Sequence, residues 1–115
     1  MKMRNRLILG LSAVALAAGA LPHTAFAGNE DRARAAVAAA QAKIETGDKQ
    51  GVTTDAADQQ ARARVALVEA QRQIKKDDED LAYHAAQEAI ALADLAMATS
   101  ELKKLTAERD RLASR

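Results

Sequence analysis

Asp77, Asp78, Glu79 and Asp80 are the densest carboxylate group in this 115-residue chain, and His84 follows with Asp80 one turn before it and Glu88 one turn after. Carboxylates bind hard cations such as Ca²⁺, and a carboxylate–histidine pair at i, i+4 supplies half of a zinc site. Neither set is complete. A helix-loop-helix calcium site needs alternating oxygen ligands, a glycine at the sharp turn and a distal glutamate, and that spacing is absent. Zinc would need two more ligands from elsewhere or from another subunit. The acidic run is therefore expected to cap and turn helices, His84 to lie on a solvated helix face, and Tyr83 beside it to cover a bundle edge. There is no glycine-rich phosphate loop, Ser-His-Asp set or pair of catalytic carboxylates in a plausible pocket, so the expectation is a non-enzyme with no cofactor and no metal.

The cations are equally uninformative about a substrate. Arg62, Arg64 and Arg72 punctuate one segment, and Lys103, Lys104, Arg109 and Arg111 another, where Glu101, Glu108 and Asp110 offset them. No aromatic residues interleave to stack bases, so no nucleic-acid partner is expected; contact with anionic lipid or a peptidoglycan-like polymer is possible but has no specific residues behind it. Cysteine is absent, which removes disulfides, thiolate metal sites, a cysteine nucleophile and a lipid-modified cysteine.

The first 27 residues read as an export signal. Lys2, Arg4 and Arg6 precede an uncharged apolar run from Leu7 to Leu21, Pro22 breaks it, and Ala25 and Ala27 place small residues three and one before a cut ahead of Gly28. A retained anchor is the competing reading, but the run is 15 residues long, where spanning a bilayer takes about 20. Cleavage leaves residues 28–115 with 14 basic and 16 acidic side chains, a net charge of −2. The expectation is a periplasmic product with no stable membrane anchor and one small domain.

That domain has no proline and 23 alanines against 15 Val, Ile, Leu and Met residues, so helix propensity dominates throughout. The expected fold is all-α: an antiparallel three-helix bundle, a helical hairpin plus a shorter first helix, with a long C-terminal helix. Asn29 can cap the first helix, whose inner line is Ala33, Val37, Ala40 and Ile44, and Gly47 and Gly51 end it. Thr53, Thr54 or Asp55 can cap a second helix running to about Lys76. This helix carries two apolar stripes, Ala57-Ala61-Val65-Val68 and Ala63-Ala66-Leu67-Ala70-Ile74, separated by polar rows that include Gln60 and Arg64. Two stripes suggest a helix sandwiched between neighbours on opposite sides. Asp77 or Asp78 can cap the third helix, from about Glu79 to Leu112, whose broad inner face runs from Leu81 and Ala82 to Ala96 and Met97.

The second helix can accompany the third only to around Ser100, leaving residues 101–115 as a coiled-coil-like extension. Leu95, Ala98, Leu102, Leu105, Arg109 and Leu112 follow alternating steps of three and four, the seam of a coiled coil, interrupted by Arg109. Such a seam either folds back on its own bundle, frays, or pairs with another chain. The expectation adopted is an interaction surface at Leu95, Leu102, Leu105 and Leu112, for a second copy or an envelope protein.

Ala63, Ala70 and Ile74, the turn Asp77-Asp78, and then Leu81-Ala82, Ala86, Ala89, Ala93 and Ala96 together resemble a bacterial envelope family, the domain of unknown function numbered 4398. With the first helix, the likeness covers about Glu30 to Thr99. It implies an exported helical domain, in a family sometimes joined to peptidoglycan-binding modules, and it implies no catalytic residues. Two features depart from the family pattern: Thr54-Asp55 stands where an Ala-Pro step often enters the middle helix, and no lipidated cysteine follows the leader. The functional expectation is a non-catalytic structural or protein-interaction module of the bacterial envelope; the alternative is a periplasmic chaperone-like protein that holds clients on its C-terminal leucine edge.

Overall fold

A computed structural model describes residues 28–115. Residues 1–27, where the expected export signal with Ala25 and Ala27 falls, lie outside the described residues, and Gly28, rather than Asn29, is the extended residue at the cap position of the first helix. The described residues are helical almost throughout: α1 (Asn29–Lys49), a single turn α2 (Val52–Asp55), α3 (Ala57–Lys75) and α4 (Glu79–Ala113). α1 and α4 run in one direction and α3 in the other, so the three long helices form an up-down-up bundle.

Alanine builds its core. Layer by layer, Ala36, Ala70 and Ala86 meet, then Ala40, Ala66 and Ala89, then Ile44, Ala63 and Ala93, and last Val52, Ala56 and Ala96. On α4 the buried residues Ala82, Ala86, Ala89, Ala93, Ala96 and Ser100 alternate steps of four and three, the spacing that keeps one line of side chains facing its neighbours. Methyl side chains let helix axes approach to the short end of the usual spacing of about 8–10 Å. The bulkier residues Val37, Leu67, Tyr83, Ile90, Leu92 and Met97 are half-buried around the alanine layers.

This arrangement corrects the sandwiched reading of α3. Both neighbours pack on the one face that carries Ala63, Ala66 and Ala70, while Val65 is 70% and Val68 54% exposed. Close approach explains the choice, because three axes can converge on methyls but not on valines. Leu81, expected inside α4, is exposed for the same reason.

The turns follow local chemistry. The α3–α4 turn is a Schellman closure: Asp77 N–H donates to Ile74 O and Asp78 N–H to Gln73 O. Asp77 takes the left-handed conformation (φ 58°) that such a closure requires. The Asp78 carboxylate then accepts from Leu81 N at 3.1 Å and caps α4, with Glu79 and Asp80 in its first, electropositive turn. The acidic run is thereby used up in ending one helix and starting the next. At the far end of the bundle, α1 continues through Gly47 and stops where Gly51 adopts φ 83°.

Gly47 has a packing task there. A Cβ on it would stand 3.0 Å from Gln60 Nε2. Gln60, expected in a polar row, is fully buried against this bare strip of helix and donates to Ile44 O (2.9 Å) and Asp48 Oδ1 (2.9 Å). Both partners are acceptors, which fixes the amide orientation and leaves Oε1 without a partner among the described residues. Asp48 also accepts from Thr53 Oγ1 and Arg64. Thr53 and Asp55 therefore do not cap α3: Thr53 serves Asp48, and the Asp55 carboxylate accepts from Ser100 Oγ at 2.9 Å.

Two outcomes follow from this packing. Ala89→Leu forces a three-carbon branch between axes set by methyls and is expected to lower the unfolding free energy by about 1–3 kcal/mol or more in urea titrations; Ala35→Leu, on the exposed side of α1, is expected to stay within about 0.5 kcal/mol. The hydrogen bonds from Gln60, then Arg64, hold the Asp48 carboxyl below its ordinary value of 3.8. A depressed folded value means stabilisation that is present above the unfolded value and lost as pH falls through the folded one. The stability difference between the parent and Asp48→Asn should thus be full at neutral pH and shrink on acidification below about pH 3.8.

Candidate interaction surface

α4 is the element that outlasts its bundle. Its burial ends at Ser100, and residues 101–115 are exposed throughout. The last ties to the bundle come from two lysines: Lys103 donates to Asp55 O, and Lys104 to Gln50 O at 2.9 Å. Beyond them the helix continues for 9 residues to Ala113, held by its own backbone ladder and by the Glu108–Arg111 pair one turn apart.

The leucines expected to form a surface all face outward. Leu95 is 50% exposed, Leu102 64%, Leu105 59% and Leu112 53%. At 100° per residue they fill a sector of about 100°, centred nearly opposite the buried alanines. Ala91, Ala98 and Arg109 lie in the same sector and complete an unbroken run of four- and three-residue steps: 91, 95, 98, 102, 105, 109, 112. Adding Ala91 carries the line a further step into the bundle half of α4. α4 therefore has an alanine seam turned inward and a leucine seam turned outward, about half a turn of helix apart.

No family model, curated protein or solved structure matches this chain.

The remaining candidates separate clearly from the leucine surface. His84 is exposed and meets the Tyr83 ring edge-on, with centroids 5.9 Å apart. The Arg32 guanidinium lies 4.2 Å from the centre of that same ring, a cation–π contact that helps tie α1 to α4. Among the described residues no group of three or more His, Asp or Glu is gathered closely enough to hold a metal ion. Between α1 and α3 an open groove of about 800 Å³ is lined by Arg34, Val37, Gln41, Gln71, Ile74 and Lys75, but its walls are mixed and it has no buried polar anchor. Val65 and Val68 form a shorter apolar strip on α3 between Arg64 and Arg72.

Several contacts near the connector between α1 and α3 use polar residues that a search for apolar periodicity passes over. Gln60 and Ser100 both sit on buried seams, and extending the step of four from Ala56 to Gln60, or from Ala96 to Ser100, would have located them. Asp48 carries no such signal, since its partners come from 5 to 16 residues away in sequence.

Because these leucines touch little in the monomer, Leu102→Gln combined with Leu105→Gln should leave the unfolding free energy of dilute protein within about 0.5 kcal/mol of the parent. A loss of several kcal/mol in circular-dichroism melts would place the leucines in the monomer's own packing.

Proposed function

We propose that this chain is a non-catalytic interaction module of the bacterial envelope, exported on its first 27 residues, cut ahead of Gly28 and working in the periplasm through the outer face of α4. The carrying observation is a long helix on which Leu95, Leu102, Leu105 and Leu112 stand half or more exposed, in coiled-coil register, partly beyond the end of the bundle. Apolar side chains set in one continuous line are a surface shaped for another helix, since knobs at this spacing fit holes on a facing helix. The sequence likeness to the alanine-rich envelope family supports the same compartment. No helix among the described residues is long and apolar enough to cross a membrane.

Two measurements test the proposal. The protein recovered from a periplasmic extract should begin at Gly28 by intact mass; retention of residues 1–27 on the mature chain would refute the export step. A photo-crosslinking amino acid at Leu105 should give a defined protein adduct in intact cells, whereas the same group at Arg111, on the other side of the free helix, should give little. Equal or absent adducts at both positions would count against the leucine face as the working surface.

A further inference from the structure

We infer that the outer face of α4 pairs with the same face of a second copy, antiparallel, so that the free end of each α4 lies along the bundle portion of the other. This rests on the interaction-module reading above and names its partner. The first argument is the division of the face. Leu95, Ala98 and Leu102 ride on the part of α4 that the bundle supports from behind, with burial ending at Ser100. Leu105, Arg109 and Leu112 lie on the free end. A two-fold axis between Lys103 and Lys104 sets each half against the other: Leu105 on the partner's Leu102, Leu112 on the partner's Leu95, and Arg109 on the partner's Ala98. Neither chain then leaves an uncovered leucine on this seam.

Size and charge choose the direction. Arg109 is the single polar residue in the seam, and Ala91 and Ala98 are its smallest; antiparallel pairing matches Arg109 with Ala98, letting the long side chain cross a methyl. Parallel pairing would instead stack Arg109 on the partner's Arg109 and Ala98 on Ala98, a like-charge layer and a gap in the same short coil. The flanks agree. Asp94, Glu101 and Glu108 fall along one side of the seam, while Leu92, Thr99, Thr106 and Ala113 fall along the other. In the antiparallel arrangement the two acidic rows face each other, Glu101 towards the partner's Glu108, and each Arg109 lies between its own Glu108 and the partner's Glu101, while Asp94 is already paired with Lys43 at 2.8 Å. Opposite charge is thus supplied where the acidic rows would otherwise repel. In the monomer Arg109 makes only an exposed pair with Asp110 at 3.0 Å, which is weak enough to exchange for the intermolecular one.

The chain has no cysteine, so single substitutions report direction directly. Full-length Leu95→Cys and Leu112→Cys chains, each recovered after export, are mixed in equal amounts and equilibrated in a glutathione redox buffer. The expected dominant product is the mixed 95–112 disulfide, mapped by peptide mass. Leu112→Cys alone should stay uncrosslinked, because antiparallel pairing holds two copies of this position about 25 Å apart along the axis, and a disulfide needs Cα atoms within about 7 Å. Efficient self-crosslinking of Leu112→Cys would overturn the antiparallel register. The parent itself should show a twofold rise in mass by light scattering between about 1 μM and 1 mM, and Arg109→Glu should raise the dissociation constant about tenfold or more. A parent that stays monomeric over that range, while the Leu105 photo-crosslinker captures a different protein, overturns self-pairing and leaves the interaction reading standing. A monomeric parent with no adduct overturns both.

Discussion

Everything in this bundle depends on three helices meeting through methyl groups. An alanine seam brings the axes close and packs backbone near backbone, but each buried methyl removes little apolar surface from water, roughly 0.8 kcal/mol per carbon. Close axes also decide where larger side chains can go. Leu67, Ile90, Leu92 and Met97 are held at the edges of the layers, and the leucines of the second α4 seam have no room on the inner side at all. The same constraint that builds the core thus excludes Leu95, Leu102, Leu105 and Leu112 from it.

An alanine seam has a further weakness, since sliding α4 by a heptad would set Ala89, Ala93 and Ala96 where Ala82, Ala86 and Ala89 stood. Register must come from contacts that have no equivalent one heptad away. The bundle has a set at each end. At one, Tyr83 packs on the Ala36, Ala70 and Ala86 layer beneath the Arg32 guanidinium. At the other, Gln60 fits over Gly47 and bonds Ile44 O and Asp48, Ser100 donates to Asp55, and Val52 is buried as a plug. A buried polar group specifies alignment because any slip leaves it unpaired in a dry setting, a larger penalty than a misplaced methyl. Gln60 already carries one oxygen without a partner among the described residues, which leaves it little tolerance for losing the bonds to Nε2.

Local chemistry was legible in the sequence and close packing was not. Asp77 and Asp78 could be placed in the turn because capping depends on a few neighbouring residues, and the length of α4 followed from the absence of Gly and Pro between Glu79 and Leu112. The all-helical fold with a long last helix followed in the same way. Gly47 misled because glycine usually ends a helix, whereas here its missing Cβ makes room for an amide from another helix. The two faces of α3 misled for a related reason. On hydropathy both stripes are core-like, yet interaxial distance selects the one with alanines at its centre, and that distance is a property of all three helices together. The alternation along Leu95 to Leu112 was visible, but whether its residues face inward depends on which of the two α4 seams the bundle takes.

The free end of α4 shows why the two seams need one another. An isolated helix shorter than about 12–15 residues is marginal in water, because nucleation is unfavourable. Residues 101–113 are spared that step, since the bundle holds the preceding turns of α4 in helical geometry as far as Ser100, and Lys103 and Lys104 tie the next turn to the connector. Elongation then costs little along Leu102, Lys103, Lys104, Leu105, Ala107 and Glu108, all good helix formers. The alanine seam therefore acts beyond its own length: by nucleating the last turns, it presents the leucine line as an ordered surface. A partner that binds this surface has less chain to order than one that must first fold a disordered tail, so more of the interaction energy remains for the complex.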